Sequence, residues 1–162
     1  MDRRRFLSLA AAGLGTPAAA TTRLDLAATL GARAQFITFC DALIAAGLGG
    51  TLRSDGPYTV FAPKLAAFDA LGRRRLDRLT RPAMRDTLRR LLAHHIVPGE
   101  YSAFALTGRR HALPTLAGTT LGIDGTGPGL RAANANVGRA EISASNGVIH
   151  TIDRVLRPPY GV

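Results

Sequence analysis

Apolar residues recur at three- and four-residue intervals through the first part of the chain. They fall at Leu24, Leu26, Leu30, Phe36, Ile37, Phe39, Leu43, Ile44 and Leu48, the spacing of a buried helix face. The pattern predicts helix over residues 21–50, closed by Gly47, Gly49 and Gly50. Residues 54–57, Ser-Asp-Gly-Pro, read as a turn. An apolar run over residues 58–62 predicts a short buried strand, stopped by Pro63. Residues 64–71 then read as a short helix. A longer one follows to His95, with Pro82 tolerated in a first turn and Met84, Leu88, Leu91 and Leu92 as its apolar stripe.

After His95 the periodicity changes. From Leu113 onward the segments are short, contain Thr, Val and Ile, and are punctuated by glycine, which is the texture of a β-meander. Gly125 to Gly129 reads as a hairpin loop. Asn146-Gly147 predicts a further hairpin, because both central residues of a type I′ turn need positive φ. The apolar run from Val148 to Leu156 predicts a strand buried on both faces, ended by Pro158 and Pro159. Helices first and strands later, with no βαβ alternation, indicate a single α+β domain.

The chain has 162 residues, of which 46% are hydrophobic, enough for one domain with a real core. Its formal net charge is +10, and Lys64 is the only lysine among the cations. The arginines from Arg73 to Arg90 cluster opposite the leucine stripe and read as a solvated face, with Asp77 and Asp86 as local partners. Contact with an anionic polymer or membrane surface is compatible with that face. Nucleic-acid binding would need aromatics interleaved with the basic residues, and residues 73–95 contain none. Cys40, the only cysteine, lies in an apolar run and reads as a buried structural thiol.

The start of the chain reads as an address. Arg3, Arg4 and Arg5 precede a short apolar stretch from Phe6 to Leu14, and Ala18, Ala19 and Ala20 close it. That is the organisation of a signal peptide over residues 1–20, with Arg3-Arg4 resembling a twin-arginine pair. The expected location is periplasmic or secreted, with residues 21–162 as the mature domain.

Little in the chain points to catalysis. The histidines lack the spacing of a zinc site, so no metal or cofactor is expected. Ser143, Ser145, His150 and Asp153 suggest a triad only by proximity, and no G-x-S-x-G elbow frames either serine. His150, inside an apolar run, needs a hydrogen-bond partner. A backbone group or a side chain near His95 is the expected one.

Several stretches in order resemble the fasciclin (FAS1) domain family. GPYTVFAPKLAAFDAL, with Phe61 and Pro63, resembles its first signature box. LLAHHIVPGEY, with Pro98 and Gly99, resembles its central element, and LPTLAGTTL the strand that follows. AEISASNGVIHTIDRVLRPP resembles its second box, including Asn146, Gly147, His150 and Asp153. The resemblance implies a β-wedge or sandwich of two antiparallel sheets with helices packed along one side. It implies a non-catalytic extracellular module for adhesion, binding a cell-surface or envelope protein or a polysaccharide, and read here as a monomer. In animal members receptor contact is ascribed to an Asp-Ile pair and a Tyr-His pair. The corresponding positions are Glu141-Ile142 and His94-His95. The rival reading is a periplasmic small-ligand or lipid-binding protein with an apolar cleft between sheet and helices.

Overall fold

The computed structural model describes residues 22–159. The leader, including Arg3 and Arg4, lies outside them. The expected first helix is two. Asp25 caps α1 (Leu26–Gly31) by accepting the Ala28 N–H at 2.7 Å. At its far end the Arg33 guanidinium donates to the Thr29 carbonyl at 2.7 Å, and the Arg33 backbone is extended. A 3-10 turn, Ala34–Phe36, leads into α2 (Ile37–Ala45). Gly47, at φ 73°, closes α2 in a Schellman arrangement: its N–H donates to Ile44 at 3.0 Å and that of Leu48 to Leu43 at 2.9 Å.

Strand β1 (Tyr58–Pro63) leads into α3 (Leu65–Leu71), and α4 (Arg73–Leu79) follows across Gly72 at φ 91°. The helix expected over residues 73–95 is interrupted. Arg81 is extended, as the steric demand of a following proline favours. Pro82 opens a 3-10 turn before α5 (Arg85–Ala93). The remaining elements are β2 (Ile96–Pro98), α6 (Ala103–Leu106), β3 (Arg110–Pro114), β4 (Thr120–Asp124), β5 (Arg131–Ala132), β6 (Ala135–Ala144) and β7 (Gly147–Ile152).

The strands are joined in the order β2-β1-β7-β6-β5-β4-β3. The expected α+β wedge is present, with one refinement: its two sheets are continuous through the long β6, and β1 pairs with β7 in parallel while the other pairings are antiparallel. Between Val137 and Glu141 the register of β6 against β7 shifts, and Gly138 permits the close approach there. A Cβ on it would fall 2.0 Å from Thr151 Oγ1.

Strand alternation divides the interior. Val60, Ala62 and Ile149 face a core built with α1, α2, α3 and α5. Phe61, Ile152 and Val97 face a second core with Leu113, Leu121 and Ile123 of the meander. Every residue of β7 is buried in consequence, the double-sided burial expected from its apolar run. The strand stops at Ile152, short of Leu156 and well before the prolines. Asp153 terminates it by accepting from the Asn136 backbone N–H at 2.8 Å and its side-chain Nδ2 at 2.7 Å.

The final hairpin forms, but not through a type I′ turn. Ala144 pairs with Gly147, so Ser145 and Asn146 are the turn residues, and neither has positive φ. Gly147 sits at φ 154° inside the ladder, where a Cβ would fall 1.9 Å from the Tyr58 carbonyl oxygen. Its requirement for glycine is a close approach between strands.

Candidate functional site

The central element, residues 94–107, is held from several sides. Adjacent histidines at the end of α5 reach different segments. His95 Nδ1 lies 2.8 Å from the Leu91 carbonyl, so that nitrogen must carry the proton. Nε2 is then free to accept the Leu156 N–H at 2.9 Å. Both ring nitrogens are satisfied in a fully buried site. Burial, with a smaller push from His94, drives the His95 pKa down to about 3 against the upward pull of the Leu91 bond. His94 Nδ1 meets the Thr119 hydroxyl, which is 2.7 Å from that of Thr115. Burial lowers its pKa as well. His95 thus anchors the C-terminal segment and His94 the β3–β4 loop.

Beyond β2 the chain turns at Gly99, φ 104°. The buried Thr59 hydroxyl donates to the Gly99 carbonyl at 2.8 Å and accepts the Tyr101 N–H at 2.9 Å. His150 Nε2 donates to the Tyr101 carbonyl at 2.7 Å, and its ring stacks on Phe61 with centroids 5.4 Å apart. Burial lowers the His150 pKa, opposed by the Tyr101 bond and the nearby Glu141 charge. Ser102 caps α6 through the Ala105 N–H at 3.2 Å. Glu141, opposite His150 on β6, accepts the Ala103 N–H at 2.6 Å. A helix this short cannot persist alone; its ends are tied to the sheet, and Leu106 is fully buried in the second core.

What this scaffold presents is Phe104. It is 92% exposed, the most exposed large apolar side chain among the described residues. The sequence analysis missed it, because a lone aromatic in a four-residue helix has no periodicity to mark it. The available signal was its place in the short segment that follows the Pro98-Gly99 turn.

The structure corrects part of the expected contact set. His94 and His95 are buried and cannot meet a partner without unfolding. Ile142 is half-buried against the helical core. Glu141 is exposed and adjoins α6. The partner expected for His150 is backbone, but it belongs to Tyr101; His95 is engaged elsewhere. Phe61 and Pro63 are buried in β1, and Pro98 ends β2. No described hydrogen bond joins Ser143 or Ser145 to His150 or Asp153: His150 is bound to Tyr101 and Asp153 to Asn136.

The arginine face also differs from expectation. Arg73, Arg74 and Arg78 lie on α4, Arg81 in the turn, and Arg85, Arg89 and Arg90 on α5, all exposed. Arg85 packs over Gly47 at the end of α2. Asp77 and Asp86 form no ion pair with these residues among the described ones, where Arg110–Asp124 at 3.2 Å is the salt bridge observed. Cys40 is half-buried, and burial raises its pKa, as suits an inert thiol. The apolar cavity between α1 and α2, near Leu30, Cys40 and Leu52, encloses about 180 Å³. No helix of the described residues is long and apolar enough to cross a membrane.

Comparison with known proteins gives a consistent result. The family model described as the fasciclin domain matches residues 34–158. Protein sll1483 of Synechocystis is 39% identical over 124 residues, covering 76% of this chain and 68% of that protein. The cell surface glycolipoprotein MPB83 of Mycobacterium bovis is 35% identical over 104 residues, covering 64% of this chain and 45% of its own. Among solved structures, a domain pair from the insect cell adhesion molecule fasciclin I superposes with a TM-score of 0.60 at 24% identity, covering 78% of this chain and 46% of that one. The chain therefore spans about half the length of the mycobacterial and insect proteins it matches.

Proposed function

The chain belongs to the fasciclin domain family, and from that premise we propose that it is an exported, non-catalytic interaction module whose contact surface is centred on α6. The observation that carries this reading is Phe104, held outward on a clamped helix at 92% exposure. Covering a large apolar ring removes apolar area from water, and an aromatic side chain with two torsions loses little conformational entropy on binding. Glu141 supplies a charge beside it. The partner is a surface or envelope protein; an aromatic face would also stack on a polysaccharide.

The related MPB83 is named as a cell-surface protein and the insect structure as a cell adhesion molecule, which supports placing this chain outside the cytoplasm. The twin-arginine-like leader supplies the route, and fractionation of an Arg3→Lys, Arg4→Lys precursor tests it: retention in the cytoplasm is the expected result. The exposed arginines of α4 and α5 add long-range attraction to an anionic envelope, which falls with rising salt.

The experiment that tests the contact surface is binding of residues 22–162 to envelope vesicles, compared with a Phe104→Ala variant. Loss of about tenfold in affinity with unchanged folding is expected of a central aromatic anchor. Equal binding by the two proteins would remove α6 from the function.

A further inference from the structure

We propose that the groove between α3 and the C-terminal segment binds a phosphomonoester carried on a small organic body. The groove encloses about 430 Å³, the size of a small-molecule site. Its apolar lining includes Ala67, Leu71 and Val155, and its polar lining is Asn134, Arg154 and Arg157. It shares no residue with the α6 surface.

The charge balance in this groove is one-sided. Arg154 follows Asp153 in the chain and its charge reaches that carboxylate, but the two form no ion pair among the described residues. Asp153 directs Oδ1 to the Asn136 N–H and Oδ2 to the Asn136 side chain. No described carboxylate pairs with Arg157 either. Two guanidiniums therefore border one concavity that no carboxylate lines among the described residues. Their planar forks match the oxygens of a phosphate, and the Asn134 amide adds donors. A phosphomonoester carries a charge of about −1.5 to −2 at neutral pH, which two arginines neutralise, while the part-exposed Leu71 side chain lies beside the carbon body.

The β5–β6 turn places Asn134 at the edge of the groove. Asn134 lies in the two-residue connection between β5 and β6. Ala133, beside it, is the non-glycine residue held at positive φ among the described residues, at 49°. A two-residue hairpin connection calls for such a conformation, and the tight turn leaves Asn134 lining the groove. Grooves elsewhere lack this character. One of about 550 Å³ carries Asp25, Asp55 and Glu100, and one of about 280 Å³ beside Arg89 and Arg90 includes Asp86.

Titration of the isotope-labelled chain with glycerol 3-phosphate, followed by amide NMR, tests the assignment. Saturable shifts are expected at Ala67, Leu71 and Asn134, with affinity falling about tenfold or more in an Arg154→Gln, Arg157→Gln variant that retains the wild-type melting temperature. A parallel arm uses phosphatidylcholine vesicles with and without phosphatidic acid. Arginine-dependent binding to the acidic vesicles alone identifies a lipid headgroup as the source, and binding of the soluble ester alone identifies a free metabolite; either supports the site. The proposal is overturned by an affinity within about threefold in the double variant, by shifts confined to α4 and α5, or by no saturable binding in either arm up to about 10 mM ligand.

Discussion

Asn146 Oδ1 accepts the backbone N–H of Leu26 at 2.8 Å, across 120 positions of sequence. The same side chain donates through Nδ2 to the Leu52 and Ser54 carbonyls at 3.0 and 2.8 Å. Its own carbonyl accepts the Tyr58 N–H at 3.0 Å. One carboxamide thus joins the last hairpin, the start of α1 and the loop before β1.

Asn146→Ala should therefore destabilise the domain by about 2–4 kcal/mol, since the Leu26 N–H and the Leu52 carbonyl are left part-buried and unsatisfied. Chemical denaturation measures this. A loss below about 0.5 kcal/mol, the range of an ordinary surface substitution, would show that the bonds do not contribute.

Gly147→Ala should be worse than Asn146→Ala. Its Cβ would collide with the Tyr58 backbone, and separating β1 from β7 disrupts both cores. Gly129→Ala, with nothing within 4 Å of the added carbon, serves as the matched control and should stay within about 0.5 kcal/mol of wild type.

Stability should decline as the pH falls below about 6.5, the ordinary range of a histidine in the unfolded chain. His94, His95 and His150 are all held neutral by burial, with pKa values below the usual one. Under acid the unfolded chain takes up protons that the folded chain refuses, so their stabilising contribution is complete above pH 6.5 and lost downward, for His95 until about pH 3. His95→Gln should reduce the slope of unfolding free energy between pH 4.5 and 6 by up to about 1.4 kcal/mol per pH unit. An unchanged slope in urea titrations at several pH values would contradict the neutral His95.

His150→Ala removes the Tyr101 bond and the stack on Phe61. A loss of about 2–4 kcal/mol is expected, with faster amide exchange concentrated at residues 99–107. Exchange that rises evenly over the chain would mean His150 only fills space.

Phe104→Ala should leave the melting temperature unchanged, because the ring is almost entirely in solvent and its removal makes no cavity. A marked drop in thermal denaturation would mean that the ring is part of the fold, and would remove the rationale for α6 as a contact surface.

Much of this architecture was legible in the chain itself. Apolar spacing marked the helical first part, and the Gly-punctuated meander marked the strands after His95, because burial on one face imposes a period that survives in the sequence. The largely apolar stretch after Gly147 announced a strand covered on both sides, though the strand itself ends at Ile152. Proline and arginine at positions 82 and 33 were visible, but whether they would interrupt a helix depended on which backbone groups found other partners. What the linear order determined, then, was which segments must be buried and their helical or extended character. The tertiary structure alone decided what the polar residues inside them are for. Asn146 and Gly147 read together as the turn; Asn146 forms it with Ser145 and is also a cross-chain clasp, while Gly147 is a point of strand contact. His94 and His95, placed in a contact pair only by the family resemblance, are interior anchors, while Phe104, unmarked by any periodicity, stands outside. Hydrophobic periodicity is a local property of successive residues. A hydrogen bond between positions 26 and 146, or the exposure of one ring, exists only once distant segments have packed together.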